Sequence, residues 1–273
     1  IAPAEYPSDA AKIKDMLDAI KNFKLTALVS ESKNYNRYDL DEGKKINVKA
    51  SQGDNLKLNI DIGKTASSFR HTFVKPSEDE RVFHAQGNLQ NAFDVTVDTL
   101  RDKSVLSFKA ADIQQVNIDK DQQSLAFTRT QVPVEIKAPD AVDTDKSTEP
   151  QPVADKLVWQ VDTGQPVNES ALNQVLNALA SLRCEKFIDD RKKEDFTAPL
   201  FTIKLKGDQD YNLSIFPKAE ENDPNFPAVS SGSAYPSQLS ANQVDRIMKD
   251  LSAFLQTPKT DQEKAEPKTT ESN

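Results

Sequence analysis

An internal repeat constrains this chain more than any single motif. Tyr6-Pro7-Ser8-Asp9 leads into AAKIKDMLDAIKNF, where Ile13, Met16, Leu17, Ile20 and Phe23 fall at helical spacing. Ser8 or Asp9 supplies an oxygen to cap the first turn. A displacement of 159 residues reproduces the pattern: Gln165-Pro166-Val167-Asn168 leads into ESALNQVLNALASL, with Leu172, Val175, Leu176, Leu179 and Leu182 on the stripe. The strand-like KLTALVSE answers to RCEKFIDD, with Cys184 opposite Leu25 and Ile188 opposite Val29. At a displacement of 155 the match continues into a hairpin. KKINVKAS, a turn at QGDN and LKLNIDI answer to LFTIKLK, a turn at GDQD and YNLSIF. Ile46, Val48 and Ala50 share a phase with Phe201, Ile203 and Leu205. Apolar phase and element order carry the match; identity between the units is slight.

More strands follow in each unit. FRHTFVKP, RVFHAQ, DIQQVNI, SLAFTRT and PVEIK read as strands of the first, with a helix over Leu89 to Leu100. KLVWQV, carrying the only Trp, opens the second. NFPAVSSGSAYP reads as loop with short strands, and SANQVDRIMKDLSAFL as a closing helix capped by Ser240. Helix, antiparallel strands, helix, twice over, is an α+β fold: two tandem related units, each an antiparallel sheet with helices packed on one face.

Two segments lack this patterning. Residues 138–155, APDAVDTDKSTEPQPVAD, carry a charge of -4, half of the chain's -8. Such a stretch buries too little to offset its ordering entropy and reads as an acidic linker or loop. Residues 256–273 hold Ala265 as their one apolar side chain and read as a disordered tail. The expected organisation is a first unit over 1–137, the linker over 138–155, a second unit over 156–255 and the tail over 256–273.

Composition excludes more than it assigns. One cysteine leaves no disulfide framework and no multi-thiolate metal site. Two histidines leave little for metal sites, and seven glycines little for phosphate-cradling loops. An acidic balance argues against broad nucleic-acid binding. Gly63-Lys64-Thr65 ends like a phosphate loop, but Leu58 stands where the motif needs another glycine. Cys184 falls in a predicted strand opposite Leu25 and reads as buried rather than nucleophilic. His71 and His84, on neighbouring predicted strands, could hold a metal only with Asp79 or Glu80; their apolar neighbours favour a structural role. Asp94, Asp98 and Asp102 would line one helical face, read as a solvated one. No catalytic, cofactor or metal residue is expected. The candidate interaction residues are Tyr35 and Tyr38, in a polar loop, and Phe226 and Tyr235, flanking another.

The residues also resemble a known family. YPSDAAKIKDMLDAIKNFKLTALVSE is similar to the opening helix and strand of the DUF4340 family. Asn36-Arg37-Tyr38-Asp39-Leu40 resembles its loop, with Asp39 where glycine is usual. Leu100-Arg101-Asp102-Lys103 with Val105, Leu106 and Phe108, then Asp112-Ile113 and Val116-Asn117-Ile118, resembles the run leading into the strand that opens the next unit. Lys156-Leu157-Val158-Trp159 before Pro166 resembles its Trp-strand. The likeness covers most of residues 5–255 and brings no catalytic residues with it. It implies a bacterial protein with an N-terminal membrane anchor, an extracytoplasmic body and neighbours among ABC-type transport components. The anchor and a first strand would lie before Ile1.

The leading expectation is therefore a non-enzymatic, periplasmic interaction module, accessory to a membrane transport or envelope complex. Its partner would be an envelope or membrane protein, with no nucleic acid, no cofactor, and membrane contact only through the anchor. The alternatives are a small-ligand or glycan-binding domain, and a hydrolase using paired carboxylates.

Overall fold

The computed structural model describes residues 1, 6–133 and 155–256; the acidic segment and the tail, apart from Asp155 and Gln256, lie outside the described residues. The chain divides into two compact units, Ile1–Asp102 and Lys103–Asn273. It is a mixed α/β protein with two antiparallel sheets, of five and eight strands.

In the first unit, helix α1 (Ala10–Lys21) is capped by Asp9, whose Oδ1 accepts from the amides of Ala11 and Lys12. Strand β1 (Leu25–Ser30) follows, then a 3-10 turn at Tyr35–Tyr38. β2 (Ile46–Gln52) and β3 (Asn55–Thr65) form the expected hairpin, and β4 (His71–Pro76) and β5 (Val82–Gln86) complete the sheet. The order is β1-β5-β4-β3-β2. The helix expected over Leu89 to Leu100 is two: α2 (Leu89–Phe93) and α3 (Val97–Leu100). Thr96 breaks it, because its hydroxyl and that of Thr99 accept each other's backbone N–H. Asp94 ends α2 and Asp98 lies in the first turn of α3, so the acids do not line one helical face.

The second unit opens on β6 (Gln115–Lys120), β7 (Gln123–Pro133) and β8 (Asp155–Val161). This corrects the boundary at 137: β6 pairs along its length with β10 (Phe201–Lys206), so residues 103–133 belong to the second sheet. Long-range pairing, invisible to local periodicity, decides it. After α4 (Glu169–Ala180), capped by Asn168, come the two-residue β9 (Lys186–Phe187), then β10, β11 (Asp210–Ile215), β12 (Asn225–Ser230) and β13 (Ser237–Ser240). The closing helix is shorter than expected: α5 (Ala241–Ile247), then a 3-10 turn at Leu251–Phe254. The sheet runs β9-β13-β12-β11-β10-β6-β7-β8. The five strands after α4 therefore lie in the same order as the five after α1, and β6-β7-β8 extend the sheet beyond β10.

Each unit has its own core. In the second, Leu172, Val175, Leu176 and Leu179 of α4 form one buried cluster with Val116, Ile118, Phe127, Trp159 and the inner residues of β10 and β11. In the first, Val48, Ile60, Ile62, Val74, Ala85, Leu89 and Phe93 form the centre, with Met16, Ile20 and Phe23 only partly buried against it.

Candidate functional site

The first unit exposes apolar side chains that helical and strand periodicity would place inside. No residue of α1 is buried, and Leu17 is 58% exposed. At the position displaced by 159, Leu176 is fully enclosed. Leu25 and Leu28 on β1 are 39% and 49% exposed, and Phe69, at a turn, 80%. β1 forms one end of its sheet and is bulged twice against β5, which limits what it buries.

A cleft of about 510 Å³ lies beside α1, lined by Lys12, Met16, Asn91, Asp94, Val95 and Leu100 among others. Its size suits a small ligand. Lys12 closes one side by donating to the Thr99 carbonyl at 2.5 Å.

The four candidate aromatics are each tied to their own unit. The Tyr35 hydroxyl donates to the Glu80 carbonyl at 2.9 Å, and the Lys75 ammonium lies 5.9 Å from its ring centre. Tyr38 is buried, its ring 4.9 Å from that of Phe73. Phe226 is half-buried under the Lys218 ammonium at 4.9 Å. Tyr235 meets Phe187 edge-on at 6.0 Å. Tyr35 and Tyr38 belong to the first unit and Phe226 and Tyr235 to the second.

The loop holding Tyr38 demands a left-handed backbone at the residue that follows it. Asp39 has φ 54° and ψ 38°, the left-handed region that a Cβ disfavours. An aspartate tolerates it better than most residues, and Lys44 pairs with its carboxylate at 3.0 Å. Gly63, already set aside above as a phosphate-loop glycine, has a packing reason. A Cβ there would stand 2.2 Å from the Tyr38 carbonyl oxygen, so only glycine lets β3 pass this close to the loop.

A buried aspartate and a half-buried lysine escaped sequence reasoning. Asp61 on β3 is 3% exposed. It accepts from Asn47 at 2.8 Å and pairs with Lys75 at 3.0 Å and Lys45 at 3.4 Å. Burial pushes its carboxyl upward, but these donors together hold it below the usual range. In sequence the aspartate keeps the alternation of β3, Ile60-Asp61-Ile62, so no local signal marks its burial. Lys193 donates to the Ser230 carbonyl at 2.7 Å, and burial lowers its pKa.

The remaining candidates take structural places. The rings of His71 and His84 stack at 5.3 Å; burial, then the neighbouring His71, lowers the pKa of His84. Asp79 is engaged by Arg81, which holds it at about 2. Among the described residues no three His, Cys, Asp or Glu side chains are grouped to hold a metal ion. Cys184 is buried in the second core. No helix among them is long and apolar enough to cross a membrane.

No curated protein and no solved structure matches the chain. A family model, described as a domain of unknown function, matches residues 1–199, from the first helix through the 3-10 turn before β10. The chain belongs to that family, DUF4340.

Proposed function

We propose that the chain is a non-enzymatic interaction module with an extracytoplasmic body, accessory to a membrane transport or envelope complex of the ABC-associated kind. It is built from two related α+β units, each with helices against one face of its sheet. The shared strand order supports the duplication. The observation that carries the interaction reading is the exposed apolar set Leu17, Leu25, Leu28 and Phe69 on one unit. Scattered exposed leucines are ordinary; a stripe that is fully buried at the matching helix and only partly buried here, with Leu17 in water, is less so.

The test is affinity purification of the protein from cross-linked membranes, alongside protease treatment of spheroplasts. An envelope or transport protein should co-purify, and Leu17→Asp with Leu28→Asp should release it while the fold survives. Protection from external protease, or recovery without any membrane component, overturns the proposal.

The cleft beside α1 supports a second reading, a small-ligand or glycan-binding domain. A ligand screen by thermal shift would favour it if a compound raised the melting point and Asn91→Ala removed the effect.

A further inference from the structure

β2 and β10 occupy corresponding places in their sheets, but their outer edges differ. β10 pairs with β11 on one side and with β6 on the other. β2 is the last strand of its sheet. Among the described residues its backbone hydrogen bonds run to β3 alone. The difference reaches the helix. The α4 stripe shares its cluster with residues of β6, β7 and β8, and the α1 stripe has no such strands in its own cluster. The strand edge is thus open in the first unit and paired in the second, and the stripe of α1 is only partly buried where that of α4 is enclosed.

We propose that the outer edge of β2 is a strand-docking site that takes an antiparallel segment from a partner, with the side-chain alternation of β6. β6 supplies the chemistry that fits. Ile118 lies opposite Ile203, Val116 opposite Leu205, and Asn117 opposite Lys204. Asp119, next along, sits 3.8 Å from the Lys204 ammonium. Displaced by 155, these partners of β6 are Val48, Ala50 and Lys49. Lys49 is exposed and makes no ion pair among the described residues. The fitting segment therefore reads aliphatic, polar, aliphatic, acid, entering opposite Ala50 and ending opposite Asn47.

A lysine and a bulge on an edge strand are common guards against pairing. Neither closes this edge. Lys204 stands at the matching place on a strand that is paired, and there the acid of the added strand meets it. The bulge of β2 falls between Ala50 and Ser51, so Ile46–Ala50 keeps a regular ladder. Main-chain pairing at such an edge gives affinity, and alternate side chains give specificity.

This inference rests on the interaction reading, and its test is separate from that of the transport role. The full chain is mixed with a synthetic peptide spanning Asp112–Gln131, the β6–β7 hairpin, and amide exchange is followed by NMR. Exchange of those amides among residues 46–50 that face away from β3 should slow by about tenfold or more, as for amides drawn into a ladder. The chain variant Lys49→Glu should weaken binding about two- to fivefold, the worth of an exposed pair, and a peptide with Asp119→Lys should recover it. The proposal fails if the outward-facing β2 amides of the free chain already exchange as slowly as those of β10. It fails equally if they pair with a second copy, seen as a dimer in sedimentation, or if the peptide or the charge swap has no effect. A working strand site without an envelope partner would remove the transport role alone; a co-purifying partner with an inert β2 edge would remove this inference alone.

Discussion

Leu17 and Leu176 stand at matching places on α1 and α4, so replacing each by alanine tests whether the first unit's apolar stripe is open. Leu176 is fully buried within the second core. Its removal loses the transfer energy of the side chain and leaves a cavity, a cost of about 2–5 kcal/mol. Leu17 is 58% exposed, so less than half of its side chain leaves water. Complete burial of a leucine is worth about 1.5–3 kcal/mol, so its loss here should stay below about 1 kcal/mol. Urea titration read by the fluorescence of Trp159, which lies in the second unit, reports the Leu176 variant. The Leu17 variant needs a first-unit probe, and the amide exchange of β3 provides one. A loss above about 2 kcal/mol for Leu17→Ala would refute the reasoning, because only an enclosed leucine costs so much.

Gly63→Ala should destabilise the first unit by about 2–3 kcal/mol in urea titration, since its Cβ would meet a backbone oxygen at 2.2 Å and Leu40 at 2.9 Å. Asp39→Gly should gain roughly 0.5 kcal/mol, because relief of left-handed strain exceeds both the lost exposed pair to Lys44 and the added freedom of the unfolded chain. Asp61→Asn should cost about 2 kcal/mol near neutral pH by leaving the half-buried Lys75 without its anion and Lys45 with Glu42 alone. Its carboxyl is lowered in the folded state, so its stabilisation is present above the unfolded pKa of about 3.9 and lost as pH falls through the folded one. Thermal melts between neutral pH and pH of about 2 should show a shallower acid loss in the variant than in the parent.

The helices and the hairpins were legible because their signals are local. Asp9 and Asn168 cap α1 and α4 with their side chains, and the β2–β3 and β10–β11 hairpins stand where alternation put them. The displacement of 155 is off by two in pairing: Val48 faces Ile60, whereas Ile203 faces Leu213. An even offset keeps each side chain on its face, so the buried pattern was right although the partners were not. The boundary at 137 failed for a different reason. β6 and β7 have ordinary alternation, and nothing within residues 115–133 says that β10, some eighty residues on, is their neighbour.

The candidate site was less legible, and the two stripes show the cause. Ile13, Met16, Leu17, Ile20 and Phe23 carry the same helical period as Leu172, Val175, Leu176, Leu179 and Leu182. Periodicity says which face of a helix is apolar; it cannot say what lies across that face. In the second unit three further strands join the cluster that encloses the stripe, and in the first they have no counterpart. The aromatics chosen for exposure came out anchored for a related reason. A tyrosine in a polar loop still has a ring to bury, and Tyr38 buries its own against Phe73 while Tyr35 spends its hydroxyl on Glu80. The informative residues were instead the aliphatic ones of α1 and β1 and the lysine of β2. Their sequence signals are those of an ordinary core helix and an ordinary strand. Comparison with the matching unit makes their exposure informative, because it shows what the same pattern looks like when its place is filled.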